Sequence, residues 1–285
     1  MIIFYYNRSK PEHKRLIHQL YASYPGHKVI EPSIRFSRNG RLNQRASCIV
    51  FAGMIRGEGL IYQWCKDSNK RFLFLDHAYL ERGYNEHDPE NEWMRITDSD
   101  FLWNKMSEES SYRWDKFFAR KYEPAPWCGK RGNNILILPP SLATKFMFTD
   151  SRLWLQQTLR KLSEVTNKPI VIREKPIQAE LNAINQPIKI IKNEHENSIE
   201  KELLDAYCIL TYNSAVPVMA NILGIPCITS QNAAAYPVSI SVNQMDNPKE
   251  PPREKWLHQL VHHQYRTSEI LNGDVWNMIF KDKGL

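Results

Sequence analysis

Short apolar runs recur along this chain, separated by longer stretches in which apolar positions return at helical spacing. Runs this short and uniformly apolar suit strands covered on both faces, the signature of parallel sheets. The pattern predicts a first strand at MIIFYYN (1–7), an amphipathic helix over 11–24 closed by Pro25-Gly26, and a buried strand at ASCIVFAGM (46–54). A glycine-containing turn, RGEG, leads into a helix around 60–65, and RFLFLDH (71–77) is a further buried strand. Residues 82–100 read as polar and irregular, and an aromatic-rich helix is expected over 110–121. After EPAPWCGKRGNN (123–134) the alternation restarts. Strands are expected at NILILPPS, KPIVIREKP and IKII, with helices over 150–166 and at SIEKELLDA, the latter opened by Ser198. YCILTYNSAVPVMANILGIPCITS (207–230) then reads as strand, polar turn, short helix, Gly-Pro break and strand. The C-terminal stretch reads as one or two amphipathic helices interrupted at Asn272-Gly273.

Two successive alternations of strand and helix predict an α/β protein of two doubly wound parallel-sheet domains with a cleft between them. The expected division is an N-terminal domain over 1–125, a second domain over 133–253, and C-terminal helices over 254–285 packing back across both. Residues 123–134, rich in Pro and Gly, read as the linker.

Composition narrows the class. No apolar run approaches the roughly 18 residues of a membrane span, and the N-terminus has its apolar part before its basic part, the wrong order for a signal peptide. The five Cys form no CxxC pair, so neither a zinc site nor a disulfide framework is indicated, and a cytoplasmic protein is expected. Net charge is +7, unevenly spread: residues 1–56 carry ten Lys/Arg against two acids, residues 132–285 sixteen against fifteen. The excess peaks at IRFSRNGRLNQR (34–45), where Arg35, Arg38, Arg41 and Arg45 stand without an acid, and Arg56 follows nearby. Guanidinium forks suit phosphate, so a polyanion such as DNA is one acceptor; a solvated basic loop is the plain alternative.

Chemistry is expected where parallel strands end. Thr211, Tyr212, Asn213, Ser214 and Ala215 occupy one such end, with Ser214 a natural N-cap for the helix that follows. A helix N-terminus attracts phosphate, although Asn-Ser there could serve only as a cap. Arg173 and Lys175 lie at another strand end, and Gln231 in the loop after 229 could reach a ligand. Asp76 and His77 follow the strand at 71–77, where either could take a proton from a hydroxyl, or simply cap a turn.

The order SIEKELLDAYCILTYNSAVPVMANILGIPCIT resembles the donor-binding half of GT-B glycosyltransferases of the capsule and surface-polysaccharide type. VIREKP is similar to that family's Arg-x-(His/Lys)-Pro strand end, and LDHAYLERG to its Asp-Gly-Phe segment. DHAYLERG with EWMRITDSDF, and the C-terminal WLHQLVHHQYRTSEILNGDVW, also resemble phage-encoded proteins described as glycosyltransferases. The resemblance covers residues 134–232 best. It implies a GT-B-like fold with two Rossmann-like domains, and a nucleotide-sugar co-substrate such as a UDP-sugar, with no metal or other cofactor. It also implies Asp76 or His77 as base, and Arg173, Lys175 and the Ser214 turn around the diphosphate. Two positions depart from the pattern: Met219 stands where a ribose-gripping Glu is often found, and His77 where the family has Gly.

With the basic N-terminal domain, the leading expectation is transfer of a sugar to 5-hydroxymethylpyrimidine in phage double-stranded DNA. Phe36, Tyr79 and Tyr84 would then be placed to hold a flipped base. A surface or capsular glycan acceptor is the alternative, and a non-catalytic basic nucleic-acid-binding protein on the same scaffold a third.

Overall fold

A computed structural model of the chain describes residues 1–33, 45–54, 58–81, 92–102, 110–128, 132–174, 188–192 and 199–280, the side chains of 174 and 188–192 excepted. The chain divides into two compact units, Met1–Trp103 with His262–Leu285, and Asn104–Val261.

The first unit opens with β1 (Ile2–Tyr6), whose first four residues are all buried. Helix α1 (Pro11–Ser23) starts on a proline, whose fixed φ suits a first helical position, and turns Leu16, Ile17 and Leu20 to the core. Then follow β2 (Lys28–Pro32), β3 (Cys48–Ala52), α2 (Glu58–Asp67), β4 (Phe72–His77) and β5 (Trp93–Asp98). The second unit holds α3 (Tyr112–Phe117), β6 (Asn134–Leu138), α4 (Leu142–Met147), α5 (Trp154–Val165), β7 (Ile170–Glu174) and β8 (Ile188–Lys192). It continues with α6 (Ile199–Leu204), β9 (Ala206–Thr211), α7 (Val216–Ile222), β10 (Cys227–Thr229) and α8 (Arg253–His262). The chain then returns to the first unit with β11 (Gln264–Arg266), α9 (Thr267–Leu271) and α10 (Asp274–Phe280).

The first unit's sheet runs β11-β5-β4-β3-β1-β2. Its β2, β1, β3 and β4 are parallel, whereas β5 and β11 are antiparallel additions. The second sheet, β10-β9-β6-β7-β8, is parallel throughout. The fully apolar strands predicted from sequence are indeed central: β3 is buried along its whole length, and Ile135–Leu138 of β6 likewise.

Three expectations need correction. Residues 82–100 contain β5, hidden because its inward-facing residues include Arg95 and Thr97, 3% and 0% exposed. The C-terminal stretch breaks at β11 as well as at Gly273 (φ +84). The segment expected as a linker packs within the second unit, whose boundary falls at 103/104 rather than near 125–133. There Ala125 N–H donates to Ile222 O and Cys128 N–H to Gly224 O, both at 2.8 Å, and Arg253 lies 4.5 Å from the Trp127 ring. Gly224 (φ +75) permits the approach, since a Cβ there would stand 2.2 Å from Pro126 O. No described helix is long and apolar enough to cross a membrane.

Candidate functional site

In the second unit β7 and β8 extend from one side of β6, and β9 and β10 from the other. The strand order therefore reverses between β6 and β9, the point at which an open parallel sheet leaves a crevice beyond its carboxyl ends. Three loops emerge there, and hydrogen bonds tie them together. After β6, Ser141 caps α4 by accepting from Thr144 N–H at 3.2 Å. After β9, Thr211 Oγ1 donates to Leu138 O at 2.8 Å and accepts from Ser214 N–H at 3.2 Å. Thr144 Oγ1 donates to Asn213 Oδ1 at 3.1 Å, joining the first loop to the second. After β10, Ser230 Oγ donates to Tyr212 O at 2.7 Å, and Asn232 Nδ2 donates to the Tyr212 hydroxyl at 2.7 Å.

Within this frame the predicted residues divide into braces and free donors. Thr211 and Tyr212 are 1% exposed, with their polar atoms engaged inside the protein. The Tyr212 hydroxyl donates to the Asp150 carboxylate, 2.9 Å from both oxygens, and burial with that carboxylate pushes its pKa far above the usual tyrosine value. Ser214 does not cap α7. Ala215 holds that position, and Ser214 Oγ accepts from Val216 N–H at 3.2 Å in the turn before it. What remains is a half-exposed turn, 213–215. Among the described residues its Asn213 and Ala215 N–H groups and the Asn213 Nδ2 have no acceptor. Such a cluster of backbone donors suits an anion.

Arg173, at the end of β7, is already neutralised: its Nη1 lies 2.6 Å from Glu202 Oε1 on α6, with both side chains largely buried. It is therefore a structural ion pair here rather than an uncommitted cation. Lys175 lies outside the described residues. Gln231 is exposed, on a loop anchored from within: Ala233, Ala234 and Ala235 are buried and Trp256 Nε1 donates to Ala234 O at 2.9 Å.

The first unit has its own reversal, between β1 and β3, since β2 and β3 flank β1 on opposite sides. Asn7, just past β1, donates from Nδ2 to Glu58 Oε2 at 3.0 Å, at the start of α2. Glu58 is 1% exposed, and burial raises its carboxyl pKa against the lowering influence of hydrogen bonds from Ser33 and Asn7. Asp76 ends β4 half-buried: its Oδ2 accepts from Arg95 Nη2 at 2.9 Å and its Oδ1 from His77 N–H at 2.8 Å. Arg95 is buried beneath Tyr79, 5.0 Å from its ring centroid, so Tyr79 is committed to the interior. His77 is exposed. Arg45 is exposed, while Arg35, Arg38, Arg41, Arg56, Phe36 and Tyr84 lie outside the described residues.

Sequence reading missed Ser141, Thr144, Ser230 and Asn232. The signal was present for the first pair, because S-x-x-T directly after a strand is a capping pattern. A cavity of about 320 Å³ opens elsewhere, near Phe72 at the amino end of β4, where Arg71 is tied to Asp98 at 2.9 Å. It lies at the opposite end of the first unit's parallel strands from the β1–β3 reversal. Among the described residues, no group of three or more His, Cys, Asp or Glu could hold a metal ion.

No protein-family model matches the chain, and no curated protein matches it in sequence. Solved structures do. The β-Kdo 2,4 transferase of Thermosulfurimonas dismutans KpsC aligns over 93% of this chain and 92% of its own, at 12% identity and a TM-score of 0.52. The β-Kdo 2,7 transferase of the same KpsC aligns over 99% of both chains at 11% identity, with a TM-score of 0.47. The UDP-GlcNAc 2-epimerase of Methanocaldococcus jannaschii aligns at 11% identity with a TM-score of 0.34. The alignment at 0.52 spans nearly the whole of both chains, and on it the chain has a GT-B-like α/β fold built of Rossmann-type units.

Proposed function

We propose that the chain is a glycosyltransferase that moves a sugar from a nucleotide-sugar donor to a hydroxyl of a surface or capsular glycan. The observation that carries this reading is the crevice at the β6–β9 reversal, where Asn213 and Ala215 present unpartnered donors on a turn braced from three loops. Donors held rigidly by their neighbours need no reorganisation when charge builds on a departing phosphate. In this reading Asn213, Ala215 and the backbone around Ser214 hold the leaving phosphate, and Thr211 and Tyr212 position them. Gln231 lies at the rim, and Arg173 supports the sheet end through Glu202. The reaction needs no metal.

The fold is shared with a Kdo transferase, which favours a glycan over a nucleic-acid acceptor. A hydroxymethylpyrimidine acceptor rests on the arginine run, of which only Arg45 lies among the described residues, and no further observation favours it. The deciding experiment incubates the protein with a panel of nucleotide sugars, with and without glycan acceptors or hydroxymethylated duplex DNA. Nucleotide release and acceptor mass are then read. Glycan-dependent release that survives EDTA is expected. Sugar on the DNA bases instead would overturn the acceptor assignment, and release abolished by chelation would overturn the metal-free one.

A further inference from the structure

We propose that the cavity beside Phe72 is a binding site for a small organic anion, one that carries a phosphate or carboxylate on a larger body. The site lies wholly within the first unit and stands whether or not the chain transfers sugars. Its first wall is the end of α2, where KDSNKR (66–71) closes the helix. Lys70 N–H donates to Cys65 O at 2.8 Å and Asn69 N–H to Lys66 O at 3.2 Å, with Asn69 left-handed at φ +48. This is the Schellman way of ending a helix, with Asn at the position that takes positive φ. It matters electrostatically, because open carbonyls at a helix C-terminus repel an anion. Here the Cys65 and Lys66 carbonyls are engaged inside the turn, and Lys66 and Lys70 bring positive charge to the same place.

The second wall is a neutralised pair held in place. Arg71 Nη2 lies 2.9 Å from Asp98 Oδ2, Ser99 Oγ donates to Asp98 Oδ1 at 2.8 Å, and the Arg71 guanidinium lies 4.9 Å from the Phe280 ring. Asp98 is the only acid among the described lining residues, and Arg71 offsets it, so Lys66 and Lys70 set the sign of the cavity. Lys70 Nζ donates to Ala46 O at 2.8 Å, a bond that fixes the ammonium without cancelling its charge. Lys66 is exposed and, among the described residues, has no acid paired with it. At the base stand Cys65 and Phe72, both buried, with the Phe72 ring packed on Phe51 and Tyr62 at 5.7 and 5.4 Å between centroids. Burial pushes the Cys65 thiol up to about 12, so it stays neutral and adds no charge. The long Lys and Arg stems continue this apolar base up to the charged tips. At about 320 Å³ the cavity falls within the range of small-molecule pockets, which begins at about 300 Å³, and is far larger than a bare phosphate fills. An organic body takes up the remaining space and holds its anion at Lys66 and Lys70.

Calorimetry on the full chain tests this with four probes: inorganic phosphate, glucose 6-phosphate, UMP and citrate. At least one of the three organic anions should bind saturably, and more tightly than inorganic phosphate. Which of them binds separates a sugar phosphate, a nucleotide and a carboxylate as the source. Amide exchange with that probe present should slow at 65–72 and 98–99. Lys66→Glu reverses a charge at the rim and should weaken the binding about tenfold or more, with the Tm of the free protein unchanged. No saturable binding by any probe overturns the site. So does an affinity that Lys66→Glu leaves unchanged, or protection confined to the 211–216 turn of the second unit. Inorganic phosphate binding as tightly as the larger probes overturns the organic body assigned to the ligand. If Lys66→Glu does not fold, the exchange pattern of the wild-type chain decides: protection at 65–72 and 98–99 upholds the site, and its absence overturns it.

Discussion

At the scale of single residues, two buried carboxylates make opposite predictions. Glu202 is paired with Arg173 at 2.6 Å, both side chains largely buried. Arg173→Ala leaves that charge uncompensated and should cost about 3 kcal/mol by urea unfolding. Replacing the pair together, Arg173→Met with Glu202→Leu, should return most of it; a double variant as weak as the single would show that the pair does more than neutralise itself. Glu58 is instead hydrogen-bonded in a site that favours its neutral form. Its folded pKa lies above its unfolded one, so between those values the folded state binds more protons. Its contribution is full below the unfolded pKa and falls as pH rises through the folded one. Glu58→Gln should therefore stabilise the protein at pH 8 relative to wild type and change it little at pH 4. Urea midpoints across that range check the sign, and a variant gap that widens towards acid would refute it.

At the scale of elements, the loops of the second unit's crevice act as one body, because Thr144, Asn213, Tyr212, Ser230 and Asn232 share a continuous set of bonds. A nucleotide binding there should slow amide exchange in 139–144, 211–216 and 230–232 together. Protection confined to one loop, or found at the Phe72 cavity instead, would place the donor elsewhere. Elements were legible in sequence where burial and polarity agreed. Ile135–Leu138 and Cys48–Ala52 are apolar and buried, and both strands were readable. Legibility failed at β5, where buried Arg95 is matched to an Asp nineteen positions earlier, a pairing that exists only once β4 and β5 lie side by side. It failed at β2, whose edge position leaves every residue half-buried, and at β11, three residues long between helices. The site divided the same way. Asn213 could be picked out by its place after an apolar strand, whereas Thr144 and Ser230 join the site only through Asn213 and Tyr212, which are distant from them in sequence.

At the scale of the whole molecule, the first unit depends on both ends of the described chain. β11 bonds to β5, and Trp276 packs on Phe4 and Tyr24 with ring centroids 5.9 and 4.9 Å apart. Removing residues 262–285 should therefore loosen Met1–Trp103 while leaving the second unit's core of Ile135, Leu162 and Leu210 protected from exchange. Equal loss of protection in both would show that the units do not hold their structure separately.

The same arrangement has a consequence during synthesis. The Asn104–Val261 unit is one uninterrupted stretch, and it can close as soon as that stretch leaves the ribosome. The unit that was started first must wait, its β5 edge uncovered, until β11 emerges. The nascent chain thus carries an open strand edge past a finished neighbour, and the window for mispairing lasts as long as translation of the intervening residues.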